Sequence, residues 1–422
     1  LIVIIFWVLV PRALTVKTQV FESNKYAMTL LEILFWLFLF VVFYTYIGYG
    51  IVLYALIKVR RLLGLHTAFE GNTDYEPEVT LFVAAYNEKD YVEAKVQNSK
   101  SLNYPQGKVR HMWITDGSDD DTPGILQQYE GVEVHHDPAR NGKIAAMNRG
   151  MQFVKTPIVI FSDANTDLGE DSIQEIVRLF RNPKVGCVSG EKRIRSKETD
   201  AAAGAGEGLY WKYESTLKKW DAELYSVVGA AGELFAIRTE LWQEVEKDTL
   251  LDDFIISLRV AMQGYTIQYN PNAYAIETAS ANVKEELKRK VRISAGGIQS
   301  VVRLWPLLNI FKYGRLSFQY ISHRVLRWTL TPLLLLLLIP INLALALEEG
   351  LFSFGLYSLL FWGQVLFYAA ALLGWFLENR KLKVKVLFVP YYFFIMNLSV
   401  FLGLRRYLKG QQSVNWERAV RG

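Results

Sequence analysis

A chain of 422 residues with 51% hydrophobic and 21% charged residues has room for one large domain or two ordinary ones, but those averages hide a polar, mixed stretch over 70–292 between long apolar flanks. Its net charge of +5 sits largely beside the apolar runs, at positions such as Arg60, Arg61, Arg405 and Arg406, and no basic stripe with interleaved aromatics marks the polar part, which argues against a nucleic-acid partner. Cys187 is the single cysteine, so an intrachain disulfide and a thiolate metal site are both excluded.

The first apolar run, 1–10, is too short to span a bilayer, and Met28 stands directly before a stronger one. Residues 1–27 are therefore expected to be upstream or truncated sequence. Residues 29–57 are almost wholly apolar, with Glu32 near one end. At about 1.5 Å per residue they are long enough to cross a hydrocarbon core of about 30 Å. Lys58, Arg60 and Arg61 follow at once, which predicts a transmembrane helix over 28–61 and a cytosolic position for what comes next.

The polar region alternates short apolar runs with helical patterns. Runs at 79–84, 111–115, 132–136 and 157–161 read as strands, and 91–101, 122–129 and 143–153 read as helices. That alternation predicts an α/β domain with a parallel sheet, whose ligands bind beyond the carboxyl ends of the strands. The polar clusters stand at those ends: Asn87-Glu88, Asp116 and Asp163.

Each cluster has a chemical and a structural reading. Asp116 suits hydrogen bonding to a base or ribose, although Asp-Gly-Ser is also good turn material. Asp163 and Asn165, two residues apart, suit Mg²⁺ or Mn²⁺ held against a diphosphate, or a strand-end turn. Lys143 opens a helix, where its charge adds to the helix's preference for phosphate; a solvated lysine is the plainer alternative. Asp252-Asp253 can cap the helix that follows or supply a general base. Arg289, Lys290 and Arg292 form a basic cluster suited to a departing diphosphate, or simply a charged helix face. His135-His136 point to opposite faces of a strand and read as structural rather than as a metal pair.

Beyond the polar region, 301–310 mixes Arg303 with Leu304, Trp305, Leu307 and Leu308, an interfacial amphipathic pattern. Three apolar segments follow, at 328–347, 351–377 and 386–404. The basic link Arg380-Lys381-Leu382-Lys383-Val384-Lys385 is expected in the cytosol, so the first two segments form a hairpin. The third holds Pro390 and Asn397 and ends in Arg405-Arg406. A single crossing would put that basic end outside, so the segment is expected to lie in the interface or re-enter.

Singly these signals are weak; their order resembles the family 2 glycosyltransferases, in particular the membrane branch with cellulose, hyaluronan and poly-N-acetylglucosamine synthases. Ala85-Tyr86-Asn87-Glu88 looks like the opening nucleotide motif. Thr115-Asp116-Gly117-Ser118 looks like D-D-G-S with its first Asp replaced. Gly142-Lys143-x-x-Ala146-x-Asn148 matches G-K-x-x-A-x-N, and Asp163-Ala164-Asn165 looks like D-x-D with its last Asp replaced. The run from Gly232 and Glu233 through Phe235 to Arg238 resembles the acceptor-side G-x-x-x-A-x-R segment. Asp252 to Arg259 resembles E-D-x-x-L-S-x-R, and Trp416 to Arg421 a W-x-x-x-x-R ending. Where processive synthases carry Q-x-x-R-W, this chain keeps Arg292 but has Arg289 for the Gln and Ile293 for the Trp, which counts against processive synthesis.

The resemblance implies a GT-A-like, Rossmann-related mixed sheet with flanking transmembrane helices, and an inverting transfer from a nucleotide sugar, usually of uridine. Ala85, Tyr86, Glu88 and Asp116 would hold the nucleoside. Asp163, with Asn165, would carry Mg²⁺ or Mn²⁺, while Lys143 and Arg292 steady the diphosphate. Asp253, next to Asp252, would be the base, and Gly232, Glu233 and Phe235 would meet the acceptor. The predicted layout is a catalytic domain over 75–298, interfacial helices over 299–327, transmembrane helices over 328–404 and a basic tail over 405–422. The expected setting is the bacterial inner membrane, multi-pass, with a cytosolic catalytic domain. Partners would be the donor, a glycan or lipid-linked acceptor and membrane lipid. Polymer synthesis in the cell envelope and single-sugar transfer to a lipid stand as alternatives, with a polytopic transporter or a nucleotidyltransferase more remote.

Overall fold

A computed structural model describes residues 19–65, 75–195, 203–278, 283–380 and 384–410. The upstream run at 1–10, the Lys381–Lys383 part of the basic link and the Trp416–Arg421 ending lie outside the described residues.

The chain begins with helix α1 (Gln19–Phe43), a π-helical turn (Tyr44–Gly48) and α2 (Tyr49–Leu62). The α/β region then runs β1 (Val79–Ala85), α3 (Lys89–Lys100), β2 (Val109–Asp116), α4 (Thr122–Leu126), β3 (Val132–Asp137), α5 (Lys143–Met151), β4 (Ile158–Asp163), β5 (Asp167–Leu168), α6 (Ser172–Val177), β6 (Val185–Arg195), α7 (Ala203–Leu224), β7 (Leu234–Arg238), α8 (Asp252–Met262), β8 (Thr266–Thr278) and α9 (Val283–Arg303). Short turns lead to α10 (Leu330–Glu349), α11 (Leu356–Asn379) and α12 (Lys385–Leu408).

All eight strands form one sheet in the order β3-β2-β1-β4-β7-β6-β8-β5. β1 lies between β2 and β4, parallel to both, and every residue of β1 is buried, as expected of a strand covered on both faces. The parallel sheet expected from the strand–helix alternation holds for the first four strands and for the pair β6 and β8. β7 runs antiparallel to both neighbours, β4 and β6, so the sheet is mixed, as the resemblance implied. Two apolar layers cover the sheet: one gathers Phe82, Phe161 and Phe235 with residues of α5 and α8, the other Leu81, Ile160 and Phe180.

Among the described residues, four helices are long and apolar enough to cross a membrane: Tyr26–Leu62, Leu330–Glu349, Leu356–Glu378 and Val386–Leu408. The first starts upstream of the expected boundary at Met28, because no helix breaker stands there. It continues past its apolar part, and Arg60 and Arg61 clasp the end of α7, Arg61 through Glu223 at 2.6 Å. The segment predicted as one interfacial helix over 301–310 is instead the end of α9 followed by a 3₁₀ turn, Trp305–Leu308. Pro306 inside that stretch cannot extend the ladder of α9.

α9 is held to the α/β region at both ends, by Arg289 near Glu277 (3.8 Å) and by Arg303 on Asp248 (2.6 Å). α12 rides beside it. Lys290 lies over the Tyr392 ring at 4.7 Å, Ser294 and Ser399 hydroxyls meet at 3.0 Å, and Gly403 lets the two backbones touch near Ala295. No re-entrant break interrupts α12 among the described residues.

Candidate active site

Parallel pairing brings the carboxyl ends of β2, β1 and β4 side by side, so Asp116, Ala85 and Asp163 stand in a row. Asp116 is buried and turned inward. One oxygen accepts from the backbone N–H groups of Asn141 (2.8 Å) and Gly142 (2.6 Å), the other from Arg149 (3.2 Å). It thereby fixes the loop that opens α5. The turn after Asp116 needs glycine, because Gly117 has φ of +65° and a Cβ there would meet the Arg140 backbone at 2.6 Å. Arg140 stacks on the Tyr86 ring at 3.9 Å. A small crevice between Ala85, Tyr86, Asp116 and Gly142 adjoins the main cavity, with which it shares Tyr86 and Lys143.

Lys143, the first residue of α5, lies 3.1 Å from Asp163 and 3.1 Å from Asp252, and so ties the end of β4 to the start of α8. Burial opposes its charge, but the two carboxylates raise its pKa above the ordinary lysine value. Asp163 is itself pushed up, by burial first and by Glu233, Glu277 and Asp252 after the offset from Lys143. The turn that follows Asp163 rests on Lys95, whose buried ammonium donates to Ser162 (2.7 Å) and to the Thr166 carbonyl (2.8 Å). Burial brings that lysine down to about 7.

Asp253, the second residue of α8, accepts from the Phe254 N–H at 2.8 Å. Burial, then the charges of Asp252 and Glu233, push its carboxyl up to about 7. Gly232 faces it so closely that a Cβ would sit 3.1 Å from its Oδ2. Behind these acids Lys192 of β6 bridges Glu233 and Glu277, with Arg289 beyond. Burial would raise Glu233, yet Lys192 holds its carboxyl down to about 2.

One cavity of about 1680 Å³ collects Tyr86, Glu88, Lys143, Asp163, Asn165, Gly232, Glu233, Asp252, Asp253 and Arg292. Phe235 corrects the acceptor expectation. It is 1% exposed and stacks on Phe161 at 4.8 Å, because both faces of β7 are covered, so it belongs to the core. His135 and His136 are structural, as expected: one stacks on Phe153 at 3.8 Å, the other meets Thr115 at 2.8 Å. Lys192, Glu277, Arg140 and Lys95 were not singled out from the sequence, and no local motif marked them.

Carboxylates crowd the cavity floor: Asp163, Asp252, Asp253, Glu233 and Glu277 face Lys143 and Lys192. Among the described residues no three His, Cys, Asp or Glu side chains form a complete metal cage.

Known proteins share parts of this sequence and its fold. The model of the family described as "Glycosyltransferase like family 2" matches residues 77–296. The poly-beta-1,6-N-acetyl-D-glucosamine synthase of Staphylococcus epidermidis is 24% identical over 343 residues, 76% of this chain and 81% of that protein. The beta-monoglucosyldiacylglycerol synthase of Trichormus variabilis is 26% identical over 282 residues, covering 60% of this chain and 58% of its own length. A mannosyltransferase from Pyrobaculum calidifontis, solved with GDP-Man and Mn²⁺, superposes with a TM-score of 0.67 at 19% identity over 90% of this chain and 99% of that one, a likeness of fold.

Proposed function

The chain belongs to glycosyltransferase family 2, and from that premise we propose that it moves a sugar from a nucleotide-sugar donor, a UDP-sugar, to a hydroxyl of a glycan or lipid-linked acceptor, with inversion at the anomeric carbon. The observation that carries the reading is the bridge from Asp163 through Lys143 to Asp252, which ties a donor end to a base end inside one cavity. Ala85, Tyr86 and Glu88 receive the nucleoside, and Asp116 holds the loop beneath it. Asp253 takes the proton from the acceptor hydroxyl as that oxygen attacks the anomeric carbon. The bond to the diphosphate breaks, and Lys143 and Arg292 face the charge that leaves with it.

The crowded carboxylates suit a hard divalent cation. Asp163 and Asn165 would hold Mg²⁺ or Mn²⁺, and since the side chains form no full cage, diphosphate and water would complete its shell. When bound, the ion supplies positive charge against the leaving diphosphate.

The setting is a membrane, with the catalytic region over 75–298 on the cytosolic side of a bacterial inner membrane. The basic end of α2, docked on that region, supports this orientation. α1, α10 and α11 cross. α12, flanking a helix that is pinned at both ends, lies along the interface. The biological context is polysaccharide or cell-envelope glycan synthesis. A non-processive variant of the reading is favoured by Ile293, an aliphatic side chain on the cavity wall where processive synthases place a stacking Trp.

The test is donor turnover by the whole protein in nanodiscs with Mg²⁺ or Mn²⁺, across UDP-, GDP- and dTDP-sugars. Nucleoside diphosphate release from one donor, lost in Asp253→Asn with donor binding kept, is expected. Equal loss of binding and transfer overturns the base assignment. Folded protein that releases nothing from any donor overturns the enzymatic reading.

A further inference from the structure

The cavity is larger than a nucleotide sugar needs. About 300–1,000 Å³ holds a ligand of that class, against about 1680 Å³ here. The extra space has a different lining. α12 contributes the apolar Phe388, Val389, Phe393, Met396 and Val400 beside the polar Tyr392, Ser399 and Arg406, and the π turn of the first membrane helix contributes Tyr46 and Ile47.

The rim of this part faces outward from the membrane helices. Ile47 is 54% exposed and Val389 53%, and both stand on helices apolar enough to lie in lipid while also lining the cavity. Both border the exposed apolar side of the cavity. The Tyr46 and Phe393 rings meet at 4.8 Å, and the Tyr46 hydroxyl donates to Asn397 at 2.7 Å. The π turn is itself tied to the catalytic region, since the Tyr213 hydroxyl donates to the Tyr46 carbonyl at 2.8 Å. Such turns are frequent at functional sites, where they displace a helix surface by one residue.

We infer that the acceptor is a membrane lipid with a hydroxyl head group, which enters past Ile47 and Val389, beside the contact of Tyr46 with Phe393, and leaves its chains in the bilayer; this rests on the glycosyltransferase reading of the same cavity. A growing glycan passing this rim would leave the exposed Ile47 and Val389 uncovered, whereas lipid chains would bury them. The base selects the head. Arg324 and Arg327, which line the cavity, both close on Glu214, at 2.7 and 3.0 Å, so those cations already face an anion. A phosphate oxygen is ionised before it reacts, whereas a hydroxyl needs a base, and Asp253 supplies one. In the step, the lipid O–H bond breaks and its proton passes to the Asp253 carboxylate. The oxygen bonds to the anomeric carbon, and the nucleoside diphosphate departs with the electron pair of the broken C–O bond. A glycolipid one sugar longer results.

The experiment uses the full chain in phosphatidylcholine nanodiscs doped with diacylglycerol, monoglycosyldiacylglycerol or polyprenyl phosphate, with the donor panel above. Nucleoside diphosphate release that requires one of the two hydroxyl lipids, with a product extended by one sugar in the organic phase, is expected. Ile47→Trp and Val389→Trp, which narrow the opening, should each lower lipid transfer at least tenfold while UDP and GDP affinities stay within twofold. Ile51→Trp, exposed on the same membrane helix but off the cavity, should transfer normally. Transfer only to polyprenyl phosphate, a water-soluble polymer made without lipid, or full activity in both opening variants overturns the inference and leaves the glycosyltransferase reading standing. Absence of nucleotide binding and of turnover in every arm overturns that reading itself.

Discussion

Lys143 sits between two carboxylates that belong to different parts of the reaction, so its removal should hurt more than the loss of one surface charge. Replacing it with Met leaves Asp163 and Asp252 facing each other without a cation. A loss of about 100-fold in kcat/KM is expected, on the scale of deleting one transition-state donor; a change under threefold would remove it from the mechanism. As the proposed base, Asp253 would work in its ionised form, and burial with neighbouring charge brings its carboxyl up to about 7. Activity should therefore fall as pH drops through about 7, and hold above it. Glu233→Gln deletes a like charge that helps raise Asp253, so the acid limb of the kcat/KM profile should move to lower pH; a limb that stays in place would show that Glu233 does not act on the base. Asp253 and Lys143 were legible in the sequence because each sits in a short local motif at the start of a helix. Lys192 was not, since its partners Glu233 and Glu277 are distant in the chain and meet it only when β6, β7 and β8 assemble. Phe235 was misread because the motif that holds it is also a strand, and burial on both faces of that strand takes its ring into the core.

The strands placed the site before any side chain did. Their apolar runs were readable to within a few residues, and so was the position of polar residues at their carboxyl ends. The direction of β7 was not, because alternating hydrophobicity carries no information on whether a strand runs up or down a sheet. At this scale the buried Lys95 is informative. It anchors the Asp163–Thr166 turn from below through three hydrogen bonds, without touching the cavity. Lys95→Met should free that turn and lower kcat/KM by between about tenfold and a hundredfold, since small misplacement of a reacting group is costly. The loss should appear in donor KM, with Mn²⁺ titration shifted to higher concentration; an unchanged metal dependence would sink the idea. Hydropathy also identified α12 but not its packing, and only the structure shows it running along α9.

The membrane helices and the catalytic region meet through charge as well as apolar packing. His323 is fully buried and faces Asp221 at 2.6 Å and Glu214 at 3.2 Å, while Tyr49 of α2 and Gln319 also bond to Asp221. Asp221→Leu breaks this cluster and leaves its donors without an acceptor. It should cost about 3–5 kcal/mol, seen as a lower unfolding temperature of the detergent-solubilised protein; an unchanged midpoint would show that the cluster adds nothing to the joint. None of this was visible in sequence, where His323 falls in a stretch read only as interfacial. The shared cavity also bears on how such chains diversify. Under the lipid-acceptor proposal, its donor end is built by the sheet and its far wall by the anchor, so the two specificities lie on separate segments of the chain. Grafting the anchor of one relative onto the sheet of another would exchange what is glycosylated and leave the sugar unchanged, and a sheet cut free of its anchor would keep its donor and lose its recipient.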